Sequence, residues 1–343
     1  MYRHLKIQVL TLTLACLGLQ AGNLKAQSPL DTSALIQNNR SIYALVVSVK
    51  DSVWYARSFN DTPENALLNN QSLTKNVMAV LIGIATDKGY IQSLDEKISL
   101  FFPALKSDPD PRKADITLRD VMNQASGLWH EDLRHLGKYL KLKNPSQYIL
   151  SQPLVSAPGS ELHYNNAASH LMSVILSKAT GQSTLDFARK YLFEPLGILQ
   201  TDWPKMRDGY YDGAGLLSLH LRTIDMNKIG RMMLQYGKFQ GKQVVSEKWI
   251  DSLLKPQKTY PAPWELSDTR YGLTFYHTFY KGLPIIYGMG WGGQFLILIP
   301  ELQATISVNQ RVNNRKAVQQ TALFMGRIFP MIVDWISSQE SAD

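Results

Sequence analysis

Residues 69–90 read NNQSLTKNVMAVLIGIATDKGY. Val77, Leu81, Ile84 and Ala85 recur at the spacing of one helical face, and Asp87-Lys88-Gly89 supplies a C-terminal stop. At the polar start of this helix stand Ser72 and Lys75, three residues apart and so on one face, where hydroxyl and amine can meet. The helix N-terminus adds unsatisfied N–H donors and a positive dipole end. A serine there can attack a carbonyl while its own N–H holds the developing oxyanion. The pattern S-x-x-K is loose, however. Ser252 and Lys255 repeat it at the end of an amphipathic helix before Pro256, and that copy reads as a solvated helix end.

What flanks this helix sets the fold. Upstream, SIYALVVSVKDSVWYARSF (41–59) alternates apolar residues around Lys50-Asp51 and predicts a β-hairpin. Downstream, from about 98 to 205, helical patterns dominate, with Thr117–Asp120 as a capping box and helices over 167–181 and 183–198. Two more helical patterns follow at 222–237 and 246–256. RYGLTFYHTFY (270–280), GQFLILIP (293–300) and LQATISVNQ (302–310) then read as strands, and a helix closes the chain over about 315–337. Strands at both ends and helices between them predict an α/β (α+β) fold. It has an antiparallel sheet of N- and C-terminal strands flanked by helices, with a mostly helical domain inserted. The boundaries read as 27–97 plus 210–343 for the sheet domain and 98–209 for the insert. Ligand sites favour such domain interfaces, and the Ser72 helix points at this one.

Two further motifs supply parts that the pair lacks. Tyr164-Asn165-Asn166 opens a helix just after Pro158-Gly159, and its tyrosine can relay a proton while an asparagine amide binds a carbonyl or amide. Gly288-Met289-Gly290-Trp291-Gly292-Gly293-Gln294 leads into the strand FLILI. Its glycines let backbone approach closely, and an N–H on that strand edge can serve as a second oxyanion donor.

In this order and spacing the three motifs resemble the serine β-lactamase and penicillin-binding-protein superfamily, on its class C side. ITLRDVMNQASGL (116–128), residues 158–198 and DGAGLLSLHLRTIDMNKIGRMML (212–234) extend the resemblance over about 40–330. NNQSLTKNVMAVLIGIA and GMGWGGQ look most like its esterases and 6-aminohexanoate-dimer hydrolases. The resemblance implies Ser72 as acylated nucleophile, Lys75 as base and Tyr164 as proton relay. It further implies Asn166 as substrate-binding and an oxyanion hole from the N–H groups of Ser72 and Gly290; Trp129, after Ser126-Gly127-Leu128, reads as a wall of the cleft, with a core residue as the alternative. No cofactor is implied. One departure narrows the substrate: where lactamases and D-alanyl carboxypeptidases carry Lys-Thr-Gly or His-x-Gly, this chain has Tyr287-Gly288-Met289, without a cation for a substrate carboxylate. An esterase or amidase acting on a small molecule is therefore expected. A D,D-peptidase or weak β-lactamase, and a binding module for peptidoglycan peptides without turnover, are the alternatives.

Other chemistries lack their signs. No G-x-S-x-G occurs, which removes the main mark of an α/β-hydrolase. His130–His135 misses the zinc motif H-E-x-x-H by one residue, and KSDPDPRKAD (106–115) reads as a solvated loop, so no metal is expected. The formal charge of +8 shows no basic run dense enough for nucleic acid. Residues 1–26 have a basic start, an apolar run too short to span a bilayer and Ala26 before Gln27, the pattern of a secretory signal. Its removal takes Arg3, Lys6, Lys25 and the only cysteine, Cys16, leaving a net +5 and no disulfide in an exported protein.

Overall fold

The computed structural model describes residues 30, 40–132, 135–262 and 268–340. The expected signal segment, with Cys16 and Ala26, lies outside the described residues.

The hairpin forms as the alternation predicts. β1 (Ile42–Val49) and β2 (Ser52–Ser58) pair antiparallel across Lys50-Asp51, with Lys50 at the left-handed φ of 53° that the turn requires. From the C-terminal part come β3 (Tyr260–Pro261), β4 (Arg270–Gly272), β5 (Phe275–Tyr280), β6 (Leu283–Gly290), β7 (Gln294–Ile299) and β8 (Ala304–Gln310). They build one eight-stranded sheet in the order β2-β1-β8-β7-β6-β5-β4-β3, antiparallel throughout. The two ends of the chain meet where β1 docks on β8, Leu45 opposite Val308 and Val47 opposite Ile306.

Two details differ from the sequence reading. The 270–280 strand breaks at Leu273-Thr274, where both residues take positive φ (46° and 75°). Their N–H groups bond Asn123 Oδ1 (2.8 Å) and the Met122 carbonyl (3.0 Å), so tertiary contacts with the insert bend this strand. The stretch before Trp291 is also a strand in its own right, β6, and only residues 291–293 form the turn into β7.

The sheet is covered on both faces, which explains why FLILI reads as a continuous apolar run rather than an alternating one. Leu296 and Leu298 face the larger core, which includes the insert, whereas Phe295, Ile297 and Ile299 face a second core with Phe324, Ile328 and Ile332 of the C-terminal helical segment. Among the described residues, the helices of eight or more residues are α1 (Leu73–Asp87), α2 (Asn166–Thr180), α3 (Thr223–Leu234), α4 (Glu247–Leu254) and α5 (Phe329–Glu340). In α1 every residue from Leu73 to Ala85 is buried, polar Thr74, Lys75 and Asn76 included. A helix buried all round must satisfy its polar groups inside the protein, and that requirement builds the site. No helix among the described residues is long and apolar enough to cross a membrane.

Candidate active site

Ser72 is the N-cap of α1, yet its side chain makes no capping bond. The first turn is satisfied otherwise: Leu73, Thr74 and Lys75 N–H groups bond the carbonyls of Asn70, Gln71 and Ser72 at 3.0–3.1 Å. The Ser72 hydroxyl is thus left for another partner, and its N–H meets no backbone carbonyl among the described residues. Just before it, Gln71 is held at a φ of 50° by N–H bonds to Asn69 Oδ1 (2.9 Å) and Ser218 Oγ (2.8 Å). Left-handed backbone at a non-glycine residue is strained, and such strain clusters at functional sites.

Lys75 is 1% exposed. Its ammonium has three hydrogens and three acceptors: Ser72 Oγ at 3.0 Å, Asn166 Oδ1 at 2.7 Å and the Ala214 carbonyl at 2.5 Å. The ring of Tyr164 lies 5.0 Å from the same nitrogen. Ser72, Lys75, Tyr164 and Asn166 therefore come together, from the starts of α1 and α2. The decoy pair does not: Ser252 bonds the Lys248 carbonyl at 2.9 Å, Lys255 reaches Asp251 at 3.3 Å, and both are solvated.

Asn166 is committed on both sides. While its Oδ1 accepts from Lys75, its Nδ2 donates to Glu131 Oε1 at 2.6 Å and its N–H to the same oxygen at 3.1 Å. Glu131 Oε2 accepts the Ala167 N–H at 3.1 Å, so this buried carboxylate caps α2 at its positive end. Asn166 Nδ2 keeps a second hydrogen beyond the one given to Glu131. Glu131 was not expected from the sequence, because its partners lie 35 and 36 positions away and only its place in the near-miss zinc motif drew notice. That motif's histidines part company: His130 stacks on His163 (centroids 5.6 Å apart, planes at 10°), and His135 bonds Asp132 at 2.8 Å. Trp129 touches the site through its backbone, whose carbonyl accepts from Asn165 Nδ2 at 2.9 Å. Its half-buried indole packs on Tyr148 and Tyr139, with ring centroids 5.3 and 6.2 Å away.

A second element also escaped the sequence reading, the loop that delivers Ala214. Buried Asp212 accepts the N–H groups of Ala214 (2.8 Å), Leu217 (2.7 Å) and Ser218 (2.9 Å) and so curls this loop around its carboxylate. Gly215, at a φ of 91°, lies so close to the Gln71 carbonyl that an added Cβ would sit 2.1 Å from its oxygen. The signal was the D-G-A-G run itself.

The end of β6 closes the other side. Cβ atoms at Gly288 and Gly290 would fall 2.1 Å from Asn76 Oδ1 and 2.6 Å from the Asn70 carbonyl, so both glycines let the strand lie directly on the start of α1. β5 pairs with β6 only as far as Tyr287, so residues 288–290 leave their edge on that side free of a strand neighbour. The Gly290 carbonyl accepts the Gly293 N–H (3.1 Å) and so faces the hairpin with β7. Backbone direction alternates along a strand, so Met289 turns its polar groups to the open edge. Trp291 is 44% exposed, its Nε1 held by Asn314 Oδ1 at 3.1 Å. Tyr287 is buried in the second core, and Lys281 in the β5–β6 turn is exposed and paired with Asp334 at 2.6 Å. Behind Tyr164, the ring of fully buried Tyr271 meets it edge-on at 6.4 Å. Burial pushes the Tyr271 phenol well above its usual range, and the neighbouring Tyr164 adds to the rise.

Comparison with known proteins shows the family and the fold. The β-lactamase family model matches residues 34–323. Beta-lactamase-like protein 4 of Dictyostelium discoideum is 26% identical over 208 residues, 52% of this chain and 36% of that protein, so the chain spans about a third of this relative's length. Among solved structures, a Bacillus anthracis protein provisionally called a 6-aminohexanoate-dimer hydrolase superposes with a TM-score of 0.75 at 18% identity, over 92% of this chain and 83% of that one. The octameric penicillin-binding protein homologue of Pyrococcus abyssi gives 0.66 at 19% identity, over 87% of this chain and 77% of the other. A D-stereospecific amidohydrolase of Streptomyces gives 0.62 at 16% identity, over 83% and 94%. The chain belongs to the β-lactamase family and has its fold.

Proposed function

We propose that the chain is a serine hydrolase that cleaves a small ester or amide through an acyl-enzyme on Ser72. The observation that carries this reading is the buried Lys75 ammonium nitrogen 3.0 Å from Ser72 Oγ. In its neutral form Lys75 takes the hydroxyl proton as Oγ bonds the substrate carbonyl carbon. Tyr164, over whose ring the lysine nitrogen sits, passes a proton to the departing alcohol or amine as its bond to the acyl carbon breaks. Water, deprotonated along the same path, then releases the acid and restores Ser72.

The tetrahedral oxyanion needs two donors. One is the Ser72 N–H. The other we assign to the end of β6, at the edge left without a strand neighbour beyond Tyr287, where Gly290 gives the close approach. Each donor is worth about 3–4 kcal/mol in such a site. Asn166, with Glu131 behind it, fixes Lys75 and keeps one amide hydrogen for the substrate. The uncharged Tyr287-Gly288-Met289 stretch favours substrates without a carboxylate at that end.

With p-nitrophenyl acetate, a stoichiometric burst of nitrophenolate followed by slower turnover is expected, and Ser72→Ala should lose both phases. Brisk nitrocefin hydrolysis that depends on Ser72 would instead favour the lactamase alternative, which the penicillin-binding-protein-like fold keeps in view. The reading also places the protein outside the cytoplasm, on the strength of residues 1–26. N-terminal sequencing of the protein from a bacterial periplasm should begin at Gln27, and an intact Met1 there would contradict export by cleavage.

A further inference from the structure

We propose that Asp208 and His170 form a positioning dyad for Lys75, acting through the two-residue segment Gly213-Ala214. This rests on the reading of Lys75 as the base of Ser72. The two side chains are 2% and 0% exposed, and His170 Nε2 lies 3.0 Å from Asp208 Oδ2 and 3.3 Å from Oδ1. On the other side of the ring, Nδ1 accepts the Gly213 N–H at 3.3 Å. With Nδ1 in the acceptor role, the ring proton belongs on Nε2, facing the carboxylate.

The dyad is built for more than filling space. The Asp208 carboxylate is held on three sides, by His170 Nε2, by the Ser146 hydroxyl and by the Tyr210 N–H. Burying a carboxylate costs free energy that its hydrogen bonds offset, so the value of this pair lies in what it orients. His170 stands four residues after Asn166, one turn along the same face of α2. The helix therefore governs two of the three acceptors of the Lys75 ammonium. Asn166 meets Nζ directly at 2.7 Å, and His170 fixes the N–H of Gly213, whose neighbour Ala214 presents its carbonyl at 2.5 Å. Asp212 holds the Ala214 N–H at 2.8 Å, so both ends of that short segment are tied. Neither His170 nor Asp208 touches the reacting atoms.

The test measures the rate of Ser72 labelling by a fluorophosphonate, with kcat and KM on a p-nitrophenyl ester, for wild type, His170→Leu and His170→Gln. Leucine removes both hydrogen bonds and should slow labelling and kcat at least tenfold, since small misplacements of a reacting group are costly, with KM within about twofold. Glutamine keeps an acceptor for Gly213 and a donor for Asp208 and should stay within about threefold of wild type. A folded leucine variant labelled at the wild-type rate, or a glutamine variant as slow as leucine, overturns the dyad's role. If the leucine variant does not fold, nitrogen NMR of the wild-type imidazole decides. The proton belongs on Nε2, and a proton found on Nδ1 overturns the proposal. Wild type that is not labelled at Ser72 overturns the parent reading, and the dyad's role with it.

Discussion

Lys75 carries the argument at the scale of single residues. A buried ammonium is tolerated only where every hydrogen finds an acceptor, and here the three acceptors come from α1, α2 and the 212–218 loop. Lys75→Ala should abolish Ser72 acylation while the protein still melts cooperatively, and residual burst kinetics in that variant would remove Lys75 from its role. Glu131 acts one step further out. Glu131→Ala strips three hydrogen bonds from the start of α2 and frees Asn166. We expect a loss of about 2–3 kcal/mol in stability with at least a tenfold drop in kcat, read from denaturant titration and steady-state kinetics. An unchanged kcat would mean that Asn166 needs no support. Ser72 and Lys75 were legible because a helical spacing brings them together. Glu131, His170 and Asp212 were not, because each becomes meaningful only against partners that the fold carries in from elsewhere.

At the scale of elements, one side of the candidate site is the line of contact between α1 and β6, and glycine makes the contact possible. Gly288→Ala puts a methyl 2.1 Å from Asn76 Oδ1 and 2.8 Å from Leu73 Cδ2. Asn76 cannot yield freely, since its Nδ2 is bonded to the Thr274 carbonyl at 2.7 Å. The substitution should destabilise the protein by about 1–3 kcal/mol and shrink the acylation burst, as β6 is pushed off the start of α1. A burst of wild-type size at wild-type stability would show that the strand has room to move. The hairpin and the FLILI strand could be read from alternation and from a long apolar run. β6 was hidden because Pro284 and the glycines at 288 and 290 mask its period. The break at Leu273-Thr274 has no local sign either, since it answers to Asn123 and Met122 in the insert.

Over the whole molecule, two cores lie on opposite faces of one sheet, one shared with the insert and one with the C-terminal helices. The strands at the two chain ends predicted that sheet, because neither set could be covered without the other. One pH response belongs to this scale. His277 on β5 keeps some exposure as a residue, but its Nε2 is buried, and burial lowers its pKa to about 4 from 6.5. The unfolded chain therefore binds this proton first as pH falls. The contribution is complete above pH 6.5, is lost progressively toward pH 4, and amounts to about 3 kcal/mol at most. His277→Gln should flatten the fall in unfolding free energy across that window, and an equally steep fall in the variant would assign it to other groups. The central claim, a serine nucleophile at the start of α1, is tested most directly on the intact chain. Intact-mass spectrometry after fluorophosphonate treatment should show one adduct per molecule of wild type and none on Ser72→Ala. An adduct of the same mass on the folded alanine variant would contradict the account.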